Sequence, residues 1–271
     1  MALSFPNIDP VLLAIGPLKV HWYGVSYIIG IVMAWHWGNR LLKKFPFAIT
    51  AKIFDDFLPY IVVGVIIGGR LGHVIFYEPL RYLENPLEIL MVWKGGMSFH
   101  GGAIGVVSMA IYYSKLHKLD FYSLGDLMAL ISPIGLFFGR IANFINSELF
   151  GIPTDKPWGV IFSGQSIARH PTQIYEALLE GMLLFIILNI AYANSTRLRS
   201  QRGVTGCFFL VLYSLFRLLI ETFKVQSVEL TLMGINFGAG VILCMLMLLI
   251  GIHLLIARLL ACANSSKKMA P

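Results

Sequence analysis

Three arginines lie inside apolar runs of this chain: Arg70, Arg140 and Arg217. An arginine placed in hydrocarbon costs at least about 2.5 kcal/mol, so a membrane protein that retains one usually uses it at a site. Arg140 belongs to the run GRIANFINSELFG, Gly139–Gly151. The other polar residues of that run are Asn143, Asn146, Ser147 and Glu148. So much polarity in one segment of an apolar chain predicts a binding site for a charged ligand.

Helical spacing places several of these side chains on common faces. Arg140 and Asn143 are three residues apart, and Tyr213, Arg217 and Glu221 follow one another at intervals of four. The second spacing predicts an ion pair between Arg217 and Glu221 within one helix, although we also expect Arg217 to face a ligand. Because the planar guanidinium group matches a phosphate bidentately, the two arginines predict a site for an anionic phospholipid headgroup.

A histidine lies in the glycine-rich segment KGGMSFHGG, Lys94–Gly102. Glycines allow backbone to approach backbone or a ligand closely, and the histidine, His100, could act as a general base. A lone histidine in a membrane helix can equally be a hydrogen-bonded structural residue. The other histidines expected at a similar depth are His73 and His170.

The composition and the apolar runs predict that membrane-spanning helices hold these residues. The chain has 271 residues, of which 57% are hydrophobic and 13% are charged, whereas soluble domains have about 25% charged residues. It is therefore predicted to be an all-α integral membrane protein, with residues 1–271 in a single polytopic domain. Seven apolar runs have the length that a transmembrane helix needs. They are Trp22–Leu42, Phe57–Phe76, Met97–Leu116, Leu124–Ile145, Gln173–Tyr192, Val204–Phe223 and Ile235–Leu259.

The distribution of basic residues predicts the orientation. The loops after spans one, three, five and seven contain twelve lysines and arginines, and the loops on the other side contain six. The N-terminus is therefore predicted to lie outside and the C-terminus in the cytoplasm. The stretch Asn146–Thr172 then lies outside; it is rich in proline and glycine, and it is predicted to form a small irregular head. The N-terminus has no basic residues before its first apolar run, so it does not resemble a cleaved signal peptide.

The net charge of +7 does not indicate nucleic-acid binding, because most basic residues lie in short clusters between apolar runs. The three cysteines are widely separated and predict neither a disulfide framework nor a metal site. We expect no cofactor.

This topology brings polar residues of six spans to one depth, near the outer leaflet. A single buried arginine could simply pair with a carboxylate and lock two helices together. Agreement among six spans favours a shared site. The residues concerned are Tyr23, Arg70, His73, His100, Arg140, Asn143, His170, Gln173, Tyr175, Glu176, Tyr213, Arg217 and Glu221.

The chain resembles a known family in several motifs. The run Gly139–Gly151 is similar to the signature of the bacterial prolipoprotein diacylglyceryl transferases, apart from Ala142, where many members have glycine. The head after Gly151 is short for the family. Further matching motifs follow in the family's order over nearly the whole chain. They are HWYG at His21–Gly24, GGR at Gly68–Arg70, GGMSFHGG at Gly95–Gly102, RHPTQIYE at Arg169–Glu176, and Tyr213 with Arg217 and Glu221.

The resemblance implies a multi-pass enzyme of the bacterial inner membrane and the first step of lipoprotein maturation. Its members transfer the diacylglyceryl group of phosphatidylglycerol to the lipobox cysteine thiol in the signal peptide of a preprolipoprotein. A thioether forms and glycerol phosphate leaves. The acceptor cysteine belongs to the substrate, which fits the lack of an activated cysteine here.

Combined with the residue patterns, the resemblance gives each candidate residue a role. His100, Arg140 and Arg217 are the candidate catalytic residues, with His100 removing the thiol proton and the arginines binding the phosphate. Arg70 is expected to tie span two to its neighbours, although substrate contact remains open. Gly151 is expected to let the chain turn away at the outer surface. Substrate contacts are further expected from Tyr23, Asn143, Glu148, Gly151 and Tyr213, with support from Glu221 and Asn146.

Two other functions could use intramembrane arginines. A transporter or channel for an anionic solute would need polar residues through both leaflets, whereas the inner halves of these spans are mostly apolar. A lipid-binding scaffold without catalysis would have no need of His100.

Overall fold

The computed structural model describes residues 3–6, 8–16, 18–92, 95–225, 229–232 and 235–268. The protein is mostly helical. It divides into two compact units. The first unit comprises Met1–Arg40 and Asp126–Pro271, and the second comprises Leu41–Gly125. The prediction of one polytopic domain stays a prediction.

The helices follow the apolar runs of the sequence. Within the described residues, five helical stretches are long and apolar enough to cross a membrane: Ala51–Phe76, Phe121–Ile145, Thr172–Asn194, Val204–Glu221 and Gly240–Ala263. The protein is therefore a multi-pass membrane protein. In chain order the α-helices are α1 (Trp22–Lys44), α2 (Ala51–Phe76), α3 (Pro79–Glu84), α4 (Phe99–Leu116), α5 (Phe121–Ile145), α6 (Thr172–Glu176), α7 (Leu184–Asn194), α8 (Thr196–Ser200), α9 (Val204–Glu221) and α10 (Ala239–Lys268).

Predicted spans one and three are helical, as α1 and α4, but neither is among those five stretches. The count of seven spans and the orientation therefore remain predictions. Predicted span seven corresponds to α10, which begins at Ala239 and not at the predicted Ile235. Ile235–Gly238 is a β-strand that pairs antiparallel with Glu229–Leu232, so these residues make hydrogen bonds to a neighbouring strand before the helix starts.

Two further strand pairs lie outside the helices, and the sequence patterns did not predict them. Val11–Ile15 pairs antiparallel with Leu18–His21. Leu3–Ser4 pairs in parallel with Val160–Ile161, in the segment between α5 and α6. The segment predicted to be an irregular head is thus held by short extended pairings in which the N-terminal strand takes part.

In the second unit, α2 and α4 approach through glycines. Gly64, Gly68 and Gly72 follow one another at intervals of four on α2 and face Gly101 and Gly105 on α4. A Cβ atom at Gly68 would lie 2.7 Å from the Cα of Gly105, and one at Gly72 would lie 2.6 Å from the Cα of Gly101. No side chain fits at that separation, so these glycines determine how closely the two helices pack.

In the first unit, α5 is held to its neighbours at two points along its length. Near its start, the buried carboxylate of Asp126 accepts hydrogen bonds from the backbone N–H groups of Gly203 (2.6 Å) and Gly206 (2.8 Å), which caps the beginning of α9. Further along, a Cβ atom at Gly181 would lie 2.7 Å from the Cβ of Phe137, so α5 and the stretch between α6 and α7 also meet closely. The first contact joins α5 to α9 at the ends away from the candidate site, and the second joins α5 to the α6–α7 stretch close to Arg140 and Glu180.

Candidate functional site

Six ionisable side chains form one buried cluster in the first unit. We call it the charge cluster, and it contains three cations and three carboxylates. Its members come from the end of α5, from α6 and the stretch that follows it, and from the end of α9 and the residues just beyond it. They are Arg140, Glu176, Glu180, Arg217, Glu221 and Lys224.

Arg217 is the centre of the charge cluster because it reaches all three carboxylates. Its Nη1 donates to Glu176 Oε1 and lies 3.4 Å from Glu180 Oε1. Its Nε lies 3.3 Å from Glu221 Oε2. The intrahelical pair between Arg217 and Glu221 that the spacing predicted is thus present.

Arg140 approaches the same carboxylates from α5. Its Nη1 lies 3.2 Å from Glu176 Oε2, and its Nη2 lies 3.5 Å from Glu180 Oε2. Lys224 Nζ donates to Glu176 Oε1 at 2.7 Å. Burial lowers the pKa of Lys224, and the Glu176 carboxylate partly offsets that shift. Glu176 therefore binds a cation from each of three chain segments.

The cations are more accessible than the carboxylates behind them. The side chains of Arg140, Lys224 and Arg217 are 11%, 12% and 17% exposed, whereas those of Glu176 and Glu180 are 0% exposed. An anion that approaches the charge cluster therefore meets guanidinium and ammonium groups first. The buried carboxylates orient those groups and compensate their charge.

Local backbone structure explains how two carboxylates of one chain segment face the same arginines. Ala177–Leu183, between α6 and α7, is a π-helix, an uncommon conformation that often marks functional sites. It carries Glu180, four residues after Glu176. Tyr213, four residues before Arg217, is buried and interacts electrostatically with Glu180 and both arginines.

The polar end of α5 continues from the charge cluster. Asn143 Nδ2 donates to Glu148 Oε1 at 2.8 Å, and Gln173 Nε2 donates to the backbone oxygen of Glu148. Tyr23 on α1 lies within electrostatic range of Arg140 and Glu148. The structure thus brings the predicted residues Asn143 and Glu148 into direct contact, whereas the hydroxyl group of Tyr23 lies 3.2 Å from that of Tyr27.

Gly151 has a different role from the expected turn. The chain leaves α5 through Ser147 and Leu149, whose φ angles of +56° and +58° are left-handed, whereas Gly151 is extended and pairs with Lys224. A Cβ atom at Gly151 would lie 2.7 Å from Thr172 Cγ2. Gly151 is therefore needed for close approach, and its pairing holds the segment that carries Lys224.

Two further candidate residues of the first unit, Asn146 and His170, differ in their hydrogen bonding. Among the described residues, the buried Oδ1 of Asn146 has no hydrogen-bond partner. His170 Nδ1 lies 3.0 Å from the hydroxyl oxygen of Tyr175. Burial and the nearby Lys156 lower the pKa of His170, which favours its neutral form.

Arg70 and His100 belong to the second unit. The Arg70 guanidinium donates to backbone oxygens of the segment that leads into α4, among them Ile89 (2.9 Å) and Met91 (3.2 Å), and it lies 5.0 Å from the ring of Tyr82. His100 is in the first turn of α4, but its side chain lies outside the described part of the chain.

Sequence reasoning missed two members of the charge cluster. Glu180 was not selected, although a carboxylate four residues after Glu176 in an apolar run is a recognisable signal. Lys224 was counted only for topology. The simpler interpretation, in which a buried arginine pairs with carboxylates, applies to both Arg140 and Arg217.

The sequence of this chain matches a family model and is similar to several known proteins. The family described as prolipoprotein diacylglyceryl transferase has a sequence model that matches residues 10–257. Similar curated proteins are called phosphatidylglycerol–prolipoprotein diacylglyceryl transferase. The one from Rickettsia bellii (strain OSU 85-389) is 47% identical over 94% of this chain and 97% of its own length. Those from Rickettsia felis and Rickettsia typhi are 45% and 43% identical, each over 93% of this chain and 98% of its own length.

Proposed function

The chain belongs to the prolipoprotein diacylglyceryl transferase family, and on that premise we propose that the charge cluster binds the phosphate of phosphatidylglycerol. The protein is a diacylglyceryl transferase of lipoprotein maturation. The observation that carries the proposal is the pair of guanidinium groups, Arg140 and Arg217, that lie on the accessible side of buried carboxylates. Such a pair supplies planar donors of the kind that bind phosphate oxygens bidentately.

The proposed topology has seven spans, with the N-terminus and the head at residues 146–172 on the periplasmic side of the inner membrane and the C-terminus in the cytoplasm. The asymmetry of basic residues supports it, as do helices α1 and α4 at predicted spans one and three. In that topology the charge cluster lies near the outer leaflet, because it occupies the end of α5, the start of α6 and the end of α9.

Charge balance gives the carboxylates a part in binding. The guanidinium groups of Arg140 and Arg217 already contact Glu176 and Glu180, so a bound phosphodiester shares their N–H groups with these carboxylates. These carboxylates hold the two guanidinium groups in place before the lipid arrives. Donors that are already oriented stabilise developing charge without reorganising during the reaction.

The proposed reaction begins with the thiolate of the lipobox cysteine, since the thiolate is the nucleophile. Its sulfur attacks the glyceryl carbon that is bonded to the phosphate oxygen, a carbon–sulfur bond forms, and the carbon–oxygen bond breaks. The electron pair stays on the phosphate oxygen, and glycerol phosphate leaves. Arg140 and Arg217 stabilise that charge, while His100 takes the thiol proton and passes it to solvent.

The neighbouring polar residues orient the headgroup or the arginines. Asn143 and Glu148 are hydrogen-bonded to each other, and Tyr23 lies close to Arg140 and Glu148. Tyr213 is buried one helical turn before Arg217, and Gly151 pairs with Lys224 at the edge of the head.

The test uses purified protein in phosphatidylglycerol micelles with a synthetic lipobox peptide, followed by mass spectrometry. The parent protein should add one diacylglyceryl unit to the peptide cysteine and release glycerol phosphate. Arg140→Ala should abolish transfer while the protein still folds in the membrane, with a lower melting temperature because three carboxylates then face two cations. Arg197→Ala, which removes an exposed arginine on α8, is the matched control and should remain active. Full activity of Arg140→Ala would contradict the phosphate-binding role.

A further inference from the structure

Four leucines form an exposed apolar strip just after α2. Leu80 and Leu83 lie on α3, and Leu87 and Leu90 lie on the 3₁₀-helix Pro86–Leu90. The exposed fractions are 75%, 78%, 73% and 73% in chain order. Within each of the two short helices the leucines are three residues apart and share a face, and Asn85 separates the two helices. We call this surface the leucine strip.

The opposite side of the same segment is fastened to the second unit. Tyr82 is buried, and its ring lies 5.0 Å from the guanidinium carbon of Arg70. The Arg70 guanidinium also donates to the backbone oxygens of Glu88, Ile89 and Met91. Because these bonds hold the inner side of the segment, the leucines cannot turn inward, and their exposure is a property of the fold.

The charged residues of this segment do not favour contact with an anionic lipid headgroup. Arg81 is paired with Glu78 at 2.7 Å and with Glu88 at 2.8 Å, and Glu84 adds a further carboxylate. One guanidinium against three carboxylates leaves an excess of two negative charges. The segment is therefore poorly suited to an anionic headgroup, and any attraction to a lipid surface must come from the leucines.

We propose that the leucine strip inserts into the bilayer leaflet in which α2 ends, so that Pro79–Leu90 lies in the plane of the membrane interface. Continuity with a membrane-spanning surface supports this partner. The last residues of α2 and the one after it, Ile75, Phe76 and Tyr77, expose large apolar side chains. Exposed leucines with charged residues beside them, here Arg81 and Glu84, are typical of segments that lie in the membrane interface. This anchor also fixes the depth of the glycine-rich turn that leads into α4.

Site-directed spin labelling tests the proposal. Single cysteines are introduced as Leu83→Cys or Leu87→Cys, with Cys262→Ser removing the one native cysteine that is partly exposed, and the protein is placed in phosphatidylcholine nanodiscs. Arg81→Cys is the control, because Arg81 is 51% exposed on the same short helix but lies one residue after Leu80 and two before Leu83, off the face that these leucines share. Collision rates with molecular oxygen, which concentrates in lipid, and with a water-soluble nickel chelate are compared.

Labels at Leu83 and Leu87 should show a ratio of oxygen to nickel collisions several-fold higher than the label at Arg81. That ratio should persist when phosphatidylglycerol replaces part of the phosphatidylcholine. A ratio equal to that at Arg81 would mean that the strip faces water, and low rates with both reagents would mean that protein covers it. Dependence on anionic lipid would contradict an apolar anchor. The measurement needs no catalytic turnover, so its outcome is independent of the proposed reaction.

Discussion

Replacing Arg217 with lysine separates the charge of this side chain from its shape. The guanidinium reaches three carboxylates at once through Nη1 and Nε. Lysine keeps the positive charge, so the balance of the charge cluster is unchanged, but its single ammonium group cannot reproduce the planar donors. Loss of one oriented donor for developing charge typically lowers kcat about 100- to 1,000-fold, or about 2.7–4 kcal/mol. We expect Arg217→Lys to fold normally and to lose activity by that factor.

Arg217→Ala should behave differently. It leaves three buried carboxylates facing two cations, and removing one partner of a buried ion pair costs about 3–5 kcal/mol of folding stability. We therefore expect a lower melting temperature as well as lost transfer. The assay pairs the initial rate of peptide lipidation, followed by mass spectrometry at saturating phosphatidylglycerol, with the melting temperature in the same detergent. Arg197→Ala serves again as the control.

Two results would refute this reasoning. If Arg217→Lys turns over as fast as the parent protein, the planar fork is not used in the reaction and only the charge matters. If Arg217→Lys melts as early as Arg217→Ala, the loss of activity reflects a damaged fold, and Arg217 has a structural role only.

Three further predictions address other parts of the protein. Gly101→Ala should lower the melting temperature, because its Cβ would lie 2.8 Å from a backbone Cα of the facing helix; Gly102→Ala, whose Cβ has its nearest neighbour at 3.7 Å, should not. Glu176→Gln leaves three cations facing two carboxylates and should lower folding stability by about 3–5 kcal/mol, measured as a fall in melting temperature. Glu84→Gln, at an exposed carboxylate, is its control, and equal melting of the two variants would count against the ion-pair argument. His100→Gln should lose transfer at every pH if His100 is the base; a merely displaced pH optimum would indicate an indirect role.

Several features of this protein can be derived from the sequence because they are local. Apolar runs of bilayer length predict the helices, and the helices α1, α2, α4, α5 and α9 begin or end close to the predicted bounds. The Arg217–Glu221 pair is also local, since residues four apart on a helix are neighbours whatever surrounds them. The ordered motifs identified the family, which the comparisons confirm.

Other features depend on which helices pack together, and periodicity carries no information about that. Glu176 and Glu180 meet Arg140 and Arg217 only because α5, the α6–α7 stretch and α9 converge, and Lys224 joins them through the pairing of its segment with Gly151. Gly151 is required for that close approach, whereas sequence alone suggested a turn. The sequence by itself determined the membrane class, the helices and the family. Only the tertiary structure decided the partners of the buried charges, because a charge in an apolar core takes the counter-ion that packing brings within reach.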